Sequence, residues 1–270
     1  MNLKYNLNDK NSLRLGASKT YTLPQAKEIS PYRYVGVNFN SQGNPNLKPS
    51  DHYNLDLKWD FNPTPTELIS LTAFYKLIKN PISRIEVASA GGYLSYENIA
   101  DKATVAGVEI EIRKNLFVRP VSNAAHGMNK LSLGLNGSYI YTNAKMPLAT
   151  VTTGSQLEGA APWIVNFDLS HNFTKGERSF VNTLVLNYVS DKIYTIGTQG
   201  YQDVMEQGVL ILDFVSQAKL NKHLSLNLKA RNLLNPSYKL SRKANENGEK
   251  VILNDYKKGI NISLGVSCTF

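Results

Sequence analysis

The sequence predicts an all-β protein whose antiparallel strands follow one another in up-and-down order. Three observations support this: apolar and polar residues alternate in about eleven segments, short turns alternate with long loops, and aromatic residues recur at both ends of the segments. Alternate residues of a strand point to opposite faces, so each segment has one apolar and one polar face. Together the observations favour part of a transmembrane β-barrel.

The alternation is clearest at the end of the chain and in one internal segment. From Gly259 to Phe270, apolar residues occupy every second position up to the last residue, and Tyr53 to Phe61 shows the same pattern. A regular apolar strand at a chain end needs neighbours that pair with it. Further strands are predicted near 3–7, 13–18, 69–77, 108–113, 131–141, 165–173, 180–188, 209–220 and 224–231. No segment has the spacing of apolar residues that would predict a convincing amphipathic helix.

The connections between these segments alternate in length. Short turns are predicted at 8–11, 62–66, 174–178 and 221–223, and long loops at 23–49, 78–103, 143–161, 191–207 and 234–258. Consecutive antiparallel strands place alternate connections at opposite ends, so all the long loops lie at one end. We expect the connection 115–129 to be the one long turn at the short end, and a hairpin around Gly91-Gly92. Outer-membrane barrels have this asymmetry.

Aromatic residues lie at both ends of the apolar face, as interfacial belts require. Tyr53 and Phe61 are separated by roughly 26 Å along a strand, or roughly 20 Å across a membrane at a tilt of about 40°. A soluble core has no need of aromatics at both ends of one face. The predicted membrane-interface aromatics are Tyr53, Trp59, Phe61, Tyr75, Tyr139, Tyr141, Trp163, Phe173, Tyr188 and Phe270.

The opposite face carries charges that would be costly in an apolar core and are normal in the lumen of a barrel. The solvent face of a soluble antiparallel sheet would explain this feature equally well. The predicted lumen-facing residues are Asn54, Asp56, Lys58, Glu109, Glu111, Arg113, Asn136, Asp168, Lys229 and Arg231. We also expect Asp213 to point inward.

Composition limits the classes of function. The net charge of +9 is compatible with nucleic acid, an anionic surface or anionic ligands, and solvated loop lysines explain it most simply. No apolar run reaches the roughly 18 residues of a transmembrane helix. The one cysteine, Cys268, excludes an internal disulfide framework and a cysteine-rich metal site. The first residues, MNLKYNLNDKNSLRLG, lack the apolar region of a signal peptide and favour a strand.

The sequence offers no catalytic or cofactor-binding constellation. His52, His126, His171 and His223 are scattered without metal-ligand spacing, and there is no phosphate-binding glycine loop. Glu109 and Glu111 share a face, which suits a lumen wall better than paired acid–base carboxylates. We therefore expect no enzyme, no cofactor and no nucleic-acid partner.

Several motifs resemble those of TonB-dependent outer-membrane receptors, in the order in which that family has them. They are GNPNLKP at 43–49, FYK and NPI between 74 and 82, YEN at 96–98 with VAGVEIE at 105–111, and NLLNP at 232–236 with Tyr238, Gly259 and the terminal Phe270. The resemblance covers nearly the whole chain and only the C-terminal half of a receptor.

The resemblance implies a 22-stranded barrel filled by a plug, with a segment that engages TonB. About eleven strands form half of such a barrel, and an odd number cannot close antiparallel. We therefore expect residues 1–270 to be the C-terminal portion, a fragment without signal peptide or plug, which by itself neither closes nor transports.

The resemblance also implies a set of partners. They are outer-membrane lipid and lipopolysaccharide, the TonB complex through the missing N-terminal part, and the barrel assembly machinery through the strand that ends in Phe270. The ligand class stays open between an iron chelate, cobalamin and an oligosaccharide. The charged loop 234–258 has a mild basic bias that favours anionic ligands or lipopolysaccharide phosphates.

Two other readings remain open from sequence alone. A passive porin or a structural outer-membrane barrel would need an even strand count within a complete chain. A soluble all-β module, such as a carbohydrate-binding sandwich, would be soluble without detergent.

Overall fold

The computed structural model describes residues 1–37, 39–87, 92–121, 127–146, 156–244 and 248–269. Within them the chain forms nineteen strands and one short helix, α1 (Ala26–Ile29). No described helix has both the length and the apolar character needed to cross a membrane. In chain order the strands are β1 (Asn2–Asn6), β2 (Asn11–Thr22), β3 (Arg33–Tyr34), β4 (Ser41–Gln42), β5 (Ser50–Phe61), β6 (Leu68–Lys79), β7 (Ile82–Val87), β8 (Tyr93–Asn98), β9 (Lys102–Pro120), β10 (Met128–Ala144), β11 (Trp163–Lys175), β12 (Arg178–Val189), β13 (Lys192–Thr195), β14 (Val204–Glu206), β15 (Val209–Lys219), β16 (Leu224–Arg231), β17 (Ser237–Lys243), β18 (Lys250–Lys257) and β19 (Asn261–Cys268).

Eleven of these strands form one antiparallel sheet, which we call the main sheet. Its order is β1-β2-β5-β6-β9-β10-β11-β12-β15-β16-β19, so each strand pairs with the strand before it in the sheet. This confirms the predicted up-and-down order and strand number. The sheet is open: β1 and β19 are its edges, and both run toward the end where the short turns lie.

One predicted connection is wrong. Residues 115–129 were expected to form a long turn, but β9 continues to Pro120 and β10 begins at Met128. Val121 and Gly127 are joined by a backbone hydrogen bond of 3.1 Å. The register between β9 and β10 shifts at Leu131/Ser132 and leaves Leu116 without an opposite residue. This bulge interrupts the alternation by which a strand is recognised from sequence.

The long connections are only partly loops. The expected hairpin around Gly91-Gly92 is confirmed by β7 and β8, which pair antiparallel. Together with β3 and β4 they form a four-stranded sheet, and β13, β14, β17 and β18 form another. We call the described parts of 23–49, 80–101, 145–162, 190–208 and 232–260 the loop layer.

Most of the buried apolar residues lie in the loop layer, and the others among the described residues, Ala103 and Ala144, lie at the adjoining ends of β9 and β10. A cluster includes Ile85, Ile99, Leu157, Ile193 and Ile196, which come from three different long connections and pack together. In contrast, the apolar face of the main sheet is bare: Leu57 is 51% exposed and Leu264 is 70% exposed.

Candidate functional site

The main sheet has one polar face, and the cross-strand register defines its members. Asp56 on β5 lies opposite Gly16 on β2, and Glu111 on β9 lies opposite Asn136 on β10. Directly opposed residues project from the same face of a sheet. The register therefore places all the predicted lumen-facing residues on one face, together with Asp213: Asn54, Asp56, Lys58, Glu109, Glu111, Arg113, Asn136, Asp168, Lys229 and Arg231.

A polar recess of about 290 Å³ lies on this face toward the short-turn end of the sheet. Arg113 and Asp168 line it, and the Arg113 guanidinium donates to Glu111 Oε1 at 2.7 Å. Gly134 lies under Asp168, and a side chain at this position would overlap the carboxylate. The glycine therefore makes the room in which Asp168 lies flat against the sheet.

A second charged group lies on β2 and β5. Asp60 is only 5% exposed. Its carboxylate is 3.4 Å from Arg14 Nε and 3.4 Å from Lys58 Nζ. Two cations around one buried carboxylate compensate for its lost hydration. Asp60 shares the face of Asp56 and Lys58 and was not among the predicted lumen-facing residues.

The remaining predicted polar residues are less closely connected. Asn166 donates to Asn136 Oδ1 at 3.3 Å, and Asn54 donates to Ser18 Oγ at 3.2 Å. Asp56, Glu109, Lys229 and Arg231 are exposed. They spread over strands far apart in the sheet, so they form a broad polar surface and not one compact site.

The predicted interface aromatics that the structure describes lie on the apolar face. At the long-connection end Tyr139 packs against Trp163 with ring centroids 4.6 Å apart. At the short-turn end Trp59 stacks on Phe61 at 6.2 Å. The register assigns this face to Tyr53, Trp59, Phe61, Tyr75, Tyr139, Tyr141, Trp163, Phe173 and Tyr188. Phe270 lies outside the described residues.

The apolar face has one polar interruption near the short-turn end. His171 Nε2 is 2.8 Å from Asn129 Oδ1, and Ser216 donates to Asn182 Oδ1 at 2.7 Å. These side chains pair with each other, which reduces the cost of polar groups on an apolar surface.

The loop layer is held together by backbone bonds between distant connections. Ile85 on β7 forms a parallel bridge with Ile196, just after β13. Glu86 N donates to Ile196 O at 3.0 Å, and Ile196 N donates to Arg84 O at 3.0 Å. This bridge joins the two small sheets into one layer across the long-connection end.

A row of alternating charges reinforces the bridge. The Arg84 side chain donates to Glu158 at 2.7 Å, and its backbone N–H donates to the other oxygen of the same carboxylate at 2.6 Å. Two residues along β7, Glu86 pairs with Arg242 on β17. The four groups come from three long connections, so this charge ladder fixes the connections relative to one another.

Tyrosine rings complete the environment of the two arginines. The Arg84 guanidinium carbon lies 4.0 Å from the Tyr194 ring centroid, and that of Arg242 lies 5.3 Å from Tyr201. The Nε atoms of both arginines are buried and have no hydrogen-bond acceptor within the part of the chain that the structure describes. Each arginine thus keeps one buried N–H that is not hydrogen-bonded.

A small recess of about 140 Å³ in the loop layer is lined by Tyr194, Tyr238 and Tyr256, with Lys239 and Glu206. Tyr238 and Tyr256 stack with their ring centroids 5.4 Å apart. Lys258 Nζ lies 3.9 Å from the centroid of Tyr238. Flat apolar rings beside cations suit a planar or anionic ligand.

Two titrating groups of the loop layer have shifted pKa values. Burial lowers the pKa of Arg84, but the neighbouring Glu158 carboxylate outweighs it, so the pKa is raised and the guanidinium stays charged. Burial raises the pKa of the Tyr96 hydroxyl. No cluster of histidine, cysteine, aspartate or glutamate among the described residues has the arrangement of a metal site.

Sequence reasoning missed the charge ladder. The segment Ile82–Val87 alternates and carries Arg84 and Glu86 on one face, which is a signal for a short strand with a charged face. Their partners, Glu158 and Arg242, lie in other connections. Only the fold shows that these charges meet.

Three comparisons with known proteins agree with this architecture. The iron-regulated outer membrane virulence protein of Vibrio cholerae is 25% identical over 219 residues, which are 77% of this chain and 31% of that protein. A mutant of the ferric enterobactin receptor from Pseudomonas aeruginosa superposes with a TM-score of 0.59 at 18% identity, over 100% of this chain and 39% of that one. The copper transporter OprC gives 0.66 at 14% identity, over 100% and 40%. The chain thus spans less than half the length of these proteins.

The two-faced antiparallel sheet with aromatic rows defines a β-barrel protein of the bacterial outer membrane. The model of the TonB dependent receptor-like β-barrel family matches residues 1–233, most of the chain. The chain therefore belongs to the TonB-dependent receptors, a family of receptors and transporters.

Proposed function

We propose that this chain is the C-terminal portion of the barrel of a receptor that imports a ferric chelate in a TonB-dependent manner. The observation that carries the proposal is the open eleven-stranded sheet with a bare apolar face and a charged opposite face, in a chain whose family is known. Further strands of the same receptor, outside this chain, pair with β1 and β19. Such strands must be odd in number, since both edges run in the same direction.

In this proposal the apolar face contacts lipid and the polar face lines the lumen. The aromatic residues listed above lie at the two membrane interfaces, and the predicted lumen-facing residues line the passage. The recess beside Arg113 and Asp168 offers polar partners for a plug that fills the lumen. Asp60, held between two cations, belongs to the same wall.

The choice of a ferric chelate rests on the loop layer and on the relatives. Ferric chelates of microbial origin are commonly anionic and often contain flat aromatic groups. The recess at Tyr238 and Tyr256 presents flat rings next to Lys258. A related protein is iron-regulated and a similar structure is a ferric enterobactin receptor. Cobalamin and oligosaccharides remain the alternative ligands.

The partners follow from the same proposal. TonB engages the receptor through its N-terminal part, the barrel assembly machinery binds the strand that ends in Phe270, and lipopolysaccharide surrounds the outer leaflet. No part of the proposed role involves nucleic acid or catalysis.

The test is uptake by cells that lack the gene encoding this chain. Cells are given ⁵⁵Fe as several anionic chelates, in parallel with labelled cobalamin and a labelled oligosaccharide. We expect uptake of one ferric chelate to be lost, to return with the reintroduced gene, and to be lost equally in a strain without TonB. If uptake of every ferric chelate is unchanged and uptake of cobalamin or of the oligosaccharide is lost, the proposed ligand is wrong and the lost one takes its place. Uptake that is independent of TonB would overturn the mechanism.

A further inference from the structure

A cluster of lysines interrupts the outward face of the main sheet at its long-connection end. On β2, β5, β6 and β9 the apolar face is uncharged through the middle of each strand. On β2, β5 and β6 the charges of this face lie only at the long-connection end, whereas β9 also carries Lys114 on this face near its short-turn end. The cross-strand register aligns Tyr21, Asp51, Lys79 and Lys102 in one row. Lys19 lies in the adjacent row, opposite Tyr53.

The cluster contains more positive than negative charge. Lys19 Nζ lies 3.3 Å from Asp51, so the one carboxylate of the row is engaged. Lys79 and Lys102 are directly opposite each other on β6 and β9, and both are exposed. Neither forms an ion pair with any residue that the structure describes. Like charges directly opposite in a sheet destabilise it, and an anion between them would remove the repulsion.

A tyrosine lies at the base of the cluster. Both Lys19 Nζ and Lys79 Nζ lie 5.4 Å from the centroid of the Tyr53 ring. The ring holds two ammonium groups close together on the outer surface. Tyr21 is 70% exposed and adds a hydroxyl donor to the row.

The height of the cluster fits the headgroup region of a membrane. Asp51 is two residues beyond Tyr53 on β5, and Lys79 is four residues beyond Tyr75 on β6. On tilted strands this places the charges roughly 5 to 10 Å outside the aromatic row, which is the depth of lipid headgroups beyond the acyl chains.

The cluster is also confined to one part of the barrel wall. The corresponding ends of β11, β12 and β15 carry Trp163, Tyr188 and Leu210 on the outward face and no charged residue there. The outward charges of β11 and β12, Lys175 and Arg178, lie at the opposite, short-turn end. A general interfacial preference for lysine would distribute charges around the wall. A local cluster favours a localised anionic partner.

We propose that Lys79 and Lys102, with Lys19, Tyr21 and Tyr53, form a docking site for the phosphate groups of a phosphorylated glycolipid of the outer leaflet. This inference rests on the proposed function, because that proposal makes the long-connection end external. The phosphate lies between the ammonium groups of Lys79 and Lys102, and the acyl chains lie along the apolar face of β5 and β6.

The experiment uses the complete receptor, extracted in detergent from outer membranes. Binding of purified bis-phosphorylated lipid A is compared with binding of the same lipid after removal of its phosphates. The test variant is Lys79→Gln with Lys102→Gln. The matched control is Lys175→Gln with Arg178→Gln, since these two residues are also exposed, oppose each other and lie at the other end of the sheet.

We expect the test variant to bind lipid A roughly 30-fold more weakly, since each basic residue at an anionic membrane surface contributes about a five-fold factor. The control should bind like the unaltered receptor, and Lys79→Arg with Lys102→Arg should retain most of the binding. Resistance to unfolding by heat in detergent is measured for each variant and identifies any variant that has failed to fold. If the glutamine variant fails to fold, binding by the arginine variant tests whether positive charge at positions 79 and 102 is sufficient.

Three results would overturn the inference: equal binding of the dephosphorylated lipid, equal losses in the test and control variants, or no loss in the test variant. Uptake of the ferric chelate is measured on the same cells. Normal uptake without lysine-dependent lipid binding overturns only the docking site. Lysine-dependent binding without any ferric-chelate uptake overturns only the proposed function.

Discussion

The main sheet and the loop layer are both built from alternating strands, but the apolar side chains are exposed in the main sheet and buried in the loop layer. In the main sheet the apolar residues are exposed and the charges share a face with small polar groups, as at Asp60. In the loop layer Ile85 and Ile196 are buried together, and the charges of Arg84 and Glu158 meet at its edge. Alternation therefore gives each strand an apolar and a polar face, whereas the medium around the strand determines which of the two faces is exposed.

The largest difference in stability between the two regions is expected from truncation of a buried residue in the loop layer. Ile196→Ala removes a side chain that is 1% exposed. We expect it to lower the local free energy of unfolding of the loop layer by about 2–5 kcal/mol and to leave the main sheet unchanged. Hydrogen exchange of the β7 and β13 amides measures the effect. Ile196→Val is the control, with about 0.5–1.5 kcal/mol, and equal exchange in all three proteins would contradict the prediction.

The next largest loss of stability is expected when a charge is placed on the outward face of the main sheet. Leu57 lies midway between Tyr53 and Phe61, so in the proposed membrane orientation Leu57→Arg places a cation near the middle of the bilayer. We expect a loss of about 2–4 kcal/mol in the free energy of unfolding from lipid vesicles, measured by urea titration. Asp56→Arg places the same side chain on the opposite face and should cost much less. Equal losses would show that both faces meet the same medium.

The charge ladder provides a smaller effect. Glu158→Gln keeps an acceptor for the Arg84 backbone N–H but leaves the guanidinium without its charge partner. We expect a loss of about 1–3 kcal/mol in the loop layer, seen as faster proteolysis there. Glu206→Gln breaks a more loosely paired carboxylate, 3.4 Å from Lys192, and should cost no more than about 1 kcal/mol. If both variants were cleaved at equal rates, the charge ladder would not stabilise the loop layer more than the Lys192–Glu206 pair does.

The pH dependence of the loop layer should be the smallest effect. Burial raises the pKa of Tyr96 above its ordinary value of 10.0. The folded protein therefore holds this proton more tightly than the unfolded chain, so its contribution is complete below about pH 10 and is lost as the pH rises through the folded pKa. Proteolysis of the loop layer should accelerate above about pH 10 in the unaltered protein and less in Tyr96→Phe. Identical pH profiles would exclude Tyr96 as the cause.

Sequence patterns were more informative about the main sheet than about the loop layer. It predicted the strand number, the up-and-down order and the two faces of the main sheet, because these follow from residues that are neighbours along the chain. It predicted β7 and β8 only as a hairpin and treated most of the other strands of the loop layer as loops. The bulge at Leu116 also concealed the true length of β9, because it breaks the alternation.

Period-two alternation by itself determined which residues share a face, because a strand projects its side chains alternately whatever surrounds it. Only the tertiary structure decided that Arg84 meets Glu158, that Glu86 meets Arg242 and that Lys79 stands beside Lys102. These pairs join residues far apart in the chain. Their proximity depends on register and on the packing of several connections at once, which no local pattern encodes.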